Sequence, residues 1–183
     1  MYIRYLVTVL ILFMVSCGKP LSQDPFSKER EKRVYSAVRK FKKAMEIKGY
    51  HAAGLGEGLD PNNRRQNYLG VTFDIKKLPD IDFARKIEVE ALQEFLKYIN
   101  AEEGIQDYLA EYPYPLKFVH VAFISQQREE GLFSVANCYD EIYYSQEEDL
   151  GNIYSPLKEV HSESYEDAVR ILNDQKRCLQ EPS

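Results

Sequence analysis

The chain of 183 residues is 44% hydrophobic and 29% charged, which supplies one core for one domain at an ordinary globular charge content. Its formal net charge of −5 argues against nucleic acid as a general partner and is too small for a specialised acidic protein. The charge is unevenly placed: residues 28–48 hold nine Lys/Arg against three Glu, or +6, whereas the chain after residue 48 carries −12.

The first residues, MYIRYLVTVLILFMVSC, combine one positive charge at Arg4, an apolar run from Leu6 to Val15, then Ser16 and Cys17, the pattern of an export signal. The apolar run is shorter than the roughly 20 residues a membrane span needs. Met14-Val15-Ser16-Cys17 resembles the lipobox of bacterial lipoproteins, with Met14 where Leu is usual. The resemblance implies cleavage before Cys17 and a diacylglycerol on its thiol. An ordinary cleaved signal and an uncleaved anchor are the alternatives. In such proteins an Asp after the cysteine retains the lipoprotein in the inner membrane; Gly18 stands there, so the expected location is the outer membrane of the cell envelope. The expected organisation is a signal peptide over 1–17, a tether over 18–27, one domain over 28–175 and a tail over 176–183. A flexible tether of this length spans under about 20 Å, which holds the domain close to the bilayer.

Helical spacing of Val34, Ala37, Val38, Phe41, Ala44 and Met45 predicts a helix from Lys28 to Lys48, capped by Ser27 and stopped at Gly49. Lys28, Lys32, Arg39 and Lys43 fall on its opposite face as a ridge of like charge, read either as a solvated face or as a contact for an anionic membrane or partner. Tyr50 to Leu59 reads as a strand with alternating Gly54, Gly56 and Gly58. A phosphate-binding loop would lead directly into a helix, and here a loop and another strand follow; the glycines therefore signal close approach of a packed helix or a twisted, bulged strand. Leu69, Val71, Phe73 and Ile75 alternate with polar or small neighbours, which predicts a half-buried strand from Tyr68 to Ile75.

The longest unbroken helical period runs from Ile81 to Gly104, with Ala84, Ile87, Ala91, Leu92, Phe95, Tyr98 and Ile99 on one arc and Asp80 or Asp82 as cap. Burying those side chains is worth roughly 10–20 kcal/mol before chain entropy is subtracted, so this helix needs a large apolar partner, a sheet. Glu88 falls inside the same arc. A carboxylate there either reaches water or Arg85 from a rim position, or is buried and must find a partner or protonate.

Beyond it, EYPYP is extended, LKFVHVAFIS reads as a central strand because both its faces are partly apolar, and Gly131–Tyr139 with Ile142–Ser145 form a hairpin through Asp140-Glu141. A strand over 153–160 and a helix over Ser164–Leu172, with Ser164 and Asp167 as its capping pair, complete the chain. The order α-β-β-α-β-β-β-α is that of an α+β fold: a mainly antiparallel sheet of four to six strands with helices packed on one face. ARKIEVEALQEFLKYINAEEGIQDYLAEYPYP, the strands after it and SYEDAVRIL resemble small uncharacterised lipoproteins of intracellular Gram-negative bacteria. That resemblance covers about the last two-thirds of the chain; it implies fold and location and brings no activity or ligand.

Chemistry has few anchors in the sequence. His51, His120 and His161 are the only histidines, without metal-ligand spacing, and no nucleophile motif is present, so no cofactor, metal or catalytic residue is assigned. Cys138 and Cys178, the cysteines beyond Cys17, are a candidate disulfide in an oxidising compartment, or two separate thiols. Tyr112, Tyr114, Tyr143, Tyr144 and Tyr154 cluster at strand ends and loops, as recognition surface or as half-buried strand residues. The reading this supports is a membrane-tethered envelope lipoprotein that binds or assembles with an envelope protein. The alternative is a small envelope enzyme acting on peptidoglycan or peptide, which would need a cleft lined by perturbed carboxylates and a His.

Overall fold

The computed structural model describes residues 24–127, 131–148 and 156–178. Its first helix, α1 (Pro25–Ile47), starts before the expected position. Pro25 suits the first helical turn because its fixed φ is helical and its missing N–H needs no partner, and the Asp24 carboxylate accepts the Ser27 N–H at 2.7 Å. Asp24 rather than Ser27 is therefore the cap, and residues 25–27 are helix rather than tether. Val34, Ala37, Val38, Phe41 and Met45 form its buried stripe. Gly49, at φ +90, turns the chain into the sheet.

Strands β1 (His51–Leu59) and β2 (Gln66–Ile75) pair antiparallel. Helix α2 (Ile81–Asn100) then crosses to β3 (Val119–Ser125), which lies parallel to β2, with Leu69 opposite Val119 and Phe73 opposite Phe123. This one parallel pair needs a crossover of helical length, and the crossover sets α2 on the sheet. β4 (Ser134–Cys138), β5 (Glu141–Glu147) and β6 (Leu157–Ser164) follow antiparallel, and α3 (Tyr165–Cys178) closes the described chain. The sheet order is β1-β2-β3-β4-β5-β6, so β3 is internal and β1 and β6 are the edges. The fold is α+β with a mostly antiparallel, six-stranded mixed sheet.

Asp80 caps α2 by accepting the Phe83 N–H at 2.8 Å, which leaves Asp82 free to pair with Arg85. The helix ends at Asn100 rather than Gly104; Gly104 turns the chain afterwards at φ +66. The β4–β5 turn is Tyr139-Asp140, one residue earlier than expected, since Cys138 pairs with Glu141 and Tyr139 takes φ +55. β6 runs on to Ser164, where Ser164 Oγ accepts the Asp167 N–H at 3.1 Å and caps α3. That helix continues to Cys178, past the expected start of the tail.

One apolar core joins the layers. Phe95 of α2 stacks on Phe41 of α1 with centroids 4.5 Å apart, Phe41 meets Phe73 of β2 edge-on at 5.6 Å, and Phe73 lies 5.4 Å from Phe123 of β3. Such ring pairs add about 0.5–1.5 kcal/mol each beyond area burial, so this column clamps both long helices to the centre of the sheet. No described helix covers the opposite sheet face. There Tyr68 lies over Gly56, Gly58 and Gly70; a Cβ at Gly70 would come within 2.8 Å of the Tyr68 hydroxyl. The neighbour of these glycines is thus a ring and not the packed helix expected, and the register breaks at Ala52/Gly54 and Gly58/Leu59 make β1 an irregular strand.

Candidate functional site

The basic ridge lies on α1, the first described helix. Lys28, Lys32, Arg39 and Lys43 are all exposed, turned away from the stripe that α1 buries. Lys32 leans on Glu29 at 3.4 Å, while Lys28, Arg39 and Lys43 form no ion pair with any described residue. The neighbouring cations are engaged: Arg33 Nε donates to Glu29 at 2.7 Å, and Lys40 pairs with Glu102 at 2.7 Å. Burial pushes the Glu102 carboxyl up, but hydrogen bonds from Lys40 and Ser36 and the charges of Lys40 and Arg33 outweigh it, leaving the carboxyl below its ordinary value. A shallow trough of about 550 Å³ runs beside the ridge, lined by Lys28, Lys32, Tyr35, Ser36, Arg39 and Glu102. Its unpaired cations suit an extended anionic surface.

A second arrangement sits inside the sheet. β3 and β4 pair only from Ala122–Ala136 to Ile124–Ser134, and beyond Ala136 the Asn137 side chain replaces the ladder. Asn137 Oδ1 accepts the Val121 N–H at 2.7 Å, and Nδ2 donates to the Val119 carbonyl at 2.7 Å. From the core side Glu88 Oε1 accepts the Asn137 N–H at 3.1 Å; from the helix-free side His120 Nδ1 contacts the Asn137 carbonyl oxygen. Glu88 is 0% exposed, and its Oε2 has no hydrogen-bond partner among the described residues. Burial pushes its carboxyl well above the ordinary value, against the pull of the Asn137 N–H. The carboxylate read as a candidate buried group is thus held in the core, where burial favours its neutral form. Near His120, its ring lies 6.3 Å from that of Tyr68.

The third arrangement is an ion pair below a groove. Arg85 is 6% exposed, although helical spacing placed it outside the apolar arc. It is buried because β6 brings Glu163 over it: Nε donates to Glu163 Oε1 at 2.7 Å while Nη1 pairs with Asp82. Tyr144 donates to the same Glu163 oxygen at 2.5 Å. Burial disfavours the Arg85 charge, but Glu163 and Asp82 outweigh it and raise the pKa; burial and Glu163 likewise raise that of Tyr144. The groove alongside, about 590 Å³, is lined by Asp80, Asp82, Arg85, Gln146, Val160 and His161. Arg85 stays cationic and Tyr144 neutral, so the pair ties α2 to β5 and β6 and exchanges no proton near neutral pH.

Cys138 and Cys178 are both free and exposed, which corrects the candidate disulfide. Strand alternation places Cys138 with Ala136 on the helix-free face, and Cys178 ends α3 on the helix side, so the sheet separates them. Cys17, with the signal segment and residues 18–23 of the tether, lies outside the described residues. Among the described residues no group of three or more His, Cys, Asp or Glu could hold a metal. Of the clustered tyrosines, Tyr114 and Tyr144 are core residues, Tyr112 is exposed, Tyr143 is half-buried and Tyr154 lies outside the described residues. Asn137 and His120 carried no signal in the sequence, because a polar residue in a strand shows its role only once register is known. Compared with protein-family models, curated proteins and solved structures, the chain matches none of them.

Proposed function

We propose that this protein is an envelope lipoprotein, anchored through Cys17 in the outer membrane, whose α1 ridge docks on the anionic bilayer while the domain serves as a binding or assembly module for an envelope protein. The observation that carries this reading is the placement of Lys28, Lys32, Arg39 and Lys43 on one exposed strip of the helix that follows the lipobox-like segment. A basic residue near an anionic surface contributes about 1 kcal/mol, so four add several to the diacylglycerol anchor and orient the domain on it. The −12 carried after residue 48 opposes this, but with α1 toward the lipid that charge lies farther off and is screened beyond a Debye length of about 8–10 Å. In the same orientation the helix-free sheet face points away from the bilayer, where a protein partner would meet it.

Two measurements test the reading. Labelling by a fatty-acid probe should vanish in Cys17→Ser, with the chain left unprocessed; persistent labelling refutes the anchor. All described elements lie beyond residue 17, so a chain lacking 1–17 can be tested on vesicles. It should bind anionic vesicles over neutral ones, lose that preference at high salt, and lose it when Lys28, Lys32, Arg39 and Lys43 are all changed to Glu. Equal binding to both vesicle types, or anionic binding that survives salt and charge reversal, refutes the docking.

A further inference from the structure

The trough beside the α1 ridge is lined by two carboxylates, Glu31 and Glu102, as well as by cations. An evenly anionic surface would repel both. Glu102 is already engaged: Lys40 Nζ donates to it at 2.7 Å, Ser36 adds a hydrogen bond, and its side chain is only 10% exposed. Glu31 is not. Its side chain is 34% exposed, and its one ion contact among the described residues is a long 3.7 Å approach to Arg30, whose Nη1 donates instead to the Arg64 carbonyl at 3.1 Å. Helical geometry sets Glu31 beside the unpaired cations. At 100° per residue Lys28, Lys32 and Arg39 fall within about 40° of one another, with Glu31 and Tyr35 along one flank of that strip. Lys28 and Glu31 lie less than a turn apart, about 4.5 Å along the axis, and line the same trough without pairing. Opposite charges therefore stand next to each other, each open to a ligand.

We infer that this trough is a phospholipid headgroup site selective for phosphoethanolamine, with Lys28, Lys32 and Arg39 holding the phosphate and Glu31 accepting the primary ammonium. The inference rests on the reading of α1 as the membrane-facing helix and names the lipid that the helix meets. An ethylene bridge joins the phosphate of this headgroup to its ammonium, so its two charges fit neighbours within one helical turn. A headgroup carrying negative charge alone leaves Glu31 facing like charge; one carrying both signs satisfies the cations and the carboxylate together. The ammonium also decides between zwitterions. A primary ammonium brings three N–H donors to a carboxylate, whereas the trimethylammonium of choline has none and keeps its charge behind methyl groups. Tyr35 supports the arrangement from the flank: burial first, then the charges of Glu57 and Glu31, raises its pKa, so the phenol adds no further negative charge beside Glu31. Docking on anionic lipid and recognition of ethanolamine thus make opposite demands on one residue. Glu31 weakens the first and supplies the second.

The test uses the chain lacking 1–17, which keeps every described element, and two sets of vesicles with the same fraction of phosphatidylglycerol. One set is filled out with phosphatidylethanolamine and the other with phosphatidylcholine. Binding to the ethanolamine set should be about two- to fivefold tighter, the range of one exposed ion pair. Glu31→Gln should bring that ratio to one and at the same time strengthen binding to the choline set, because it removes a carboxylate from beside an anionic surface. A preference that came from lipid packing alone would survive Glu31→Gln. A ratio near one in the unsubstituted chain, or a ratio that survives Glu31→Gln, overturns this inference; with the preference for anionic over neutral vesicles intact, it leaves the docking of α1 standing. Absence of binding to either set overturns both.

Discussion

Glu88 Oε1 accepts the backbone N–H of Asn137 at 3.1 Å, joining the middle of α2 to the point where β4 leaves β3. Among the described residues it is the one hydrogen bond of a fully buried carboxyl, and it uses the N–H of the residue whose side chain holds that gap in the sheet closed.

The first prediction concerns pH. Because the folded pKa of Glu88 is raised above its ordinary 4.5, the neutral acid is the form the fold favours. Its contribution is complete below 4.5 and is lost as pH rises through the raised value. Above that value, each unit of the shift costs about 1.4 kcal/mol. Glu88→Gln keeps an acceptor for Asn137 and does not ionise. Its melting temperature should match the unsubstituted protein near pH 4 and exceed it near pH 8, by calorimetry at both. A difference that does not change with pH would contradict the buried, protonated carboxyl.

Asn137 should be the most sensitive polar residue of the sheet. Asn137→Leu leaves the Val121 N–H and the Val119 carbonyl without partners in the core. At about 1–3 kcal/mol for each unsatisfied group, the loss in urea unfolding should be about 2–6 kcal/mol. Amide exchange at Val121 should accelerate with it. A loss below about 1 kcal/mol would mean that the amide is replaceable.

The Arg85–Glu163 pair makes a prediction by double-mutant cycle. Arg85→Leu leaves Glu163 buried with Tyr144 and should cost about 3–5 kcal/mol. Adding Glu163→Leu should recover a large part of that loss, since an apolar pair of similar volume replaces a buried ion pair at little cost. Equal losses in the single and double variants would show no coupling.

Two glycines separate backbone strain from collision. Gly49 has φ +90 and open space around a Cβ, whereas Gly131 has φ +99 and a Cβ there would lie 2.4 Å from the Leu78 carbonyl oxygen. Gly49→Ala should cost about 1 kcal/mol, the strain alone. Gly131→Ala adds a clash with backbone and breaks the bridge of Leu78 with Leu132, so its cost should be at least twice as large. Similar unfolding midpoints for the two variants would show that the 131 turn yields.

Much of this molecule follows from local sequence. The stripes of α1 and α2, the alternation in β2 and β3, and the capping pair Ser164–Asp167 come from periodicity and capping chemistry, which involve neighbours a few residues apart. The same 100° spacing put Lys28, Lys32, Arg39 and Lys43 on one face and Glu88 inside the apolar arc. Where spacing failed, a distant residue had intervened. Arg85 lies outside the arc and is buried because Glu163, 78 positions later, covers it. Cys138 and Cys178 were open to either reading, a disulfide or two separate thiols, until the sheet set one on each of its sides. The parallel pairing of β2 with β3 and the gap spanned by Asn137 both depend on which strands end up adjacent. Sequence determined which faces were apolar, because a side chain's direction is fixed by its own helix or strand. Tertiary structure decided what those faces met, because burial and pairing are properties of residues brought together from far along the chain.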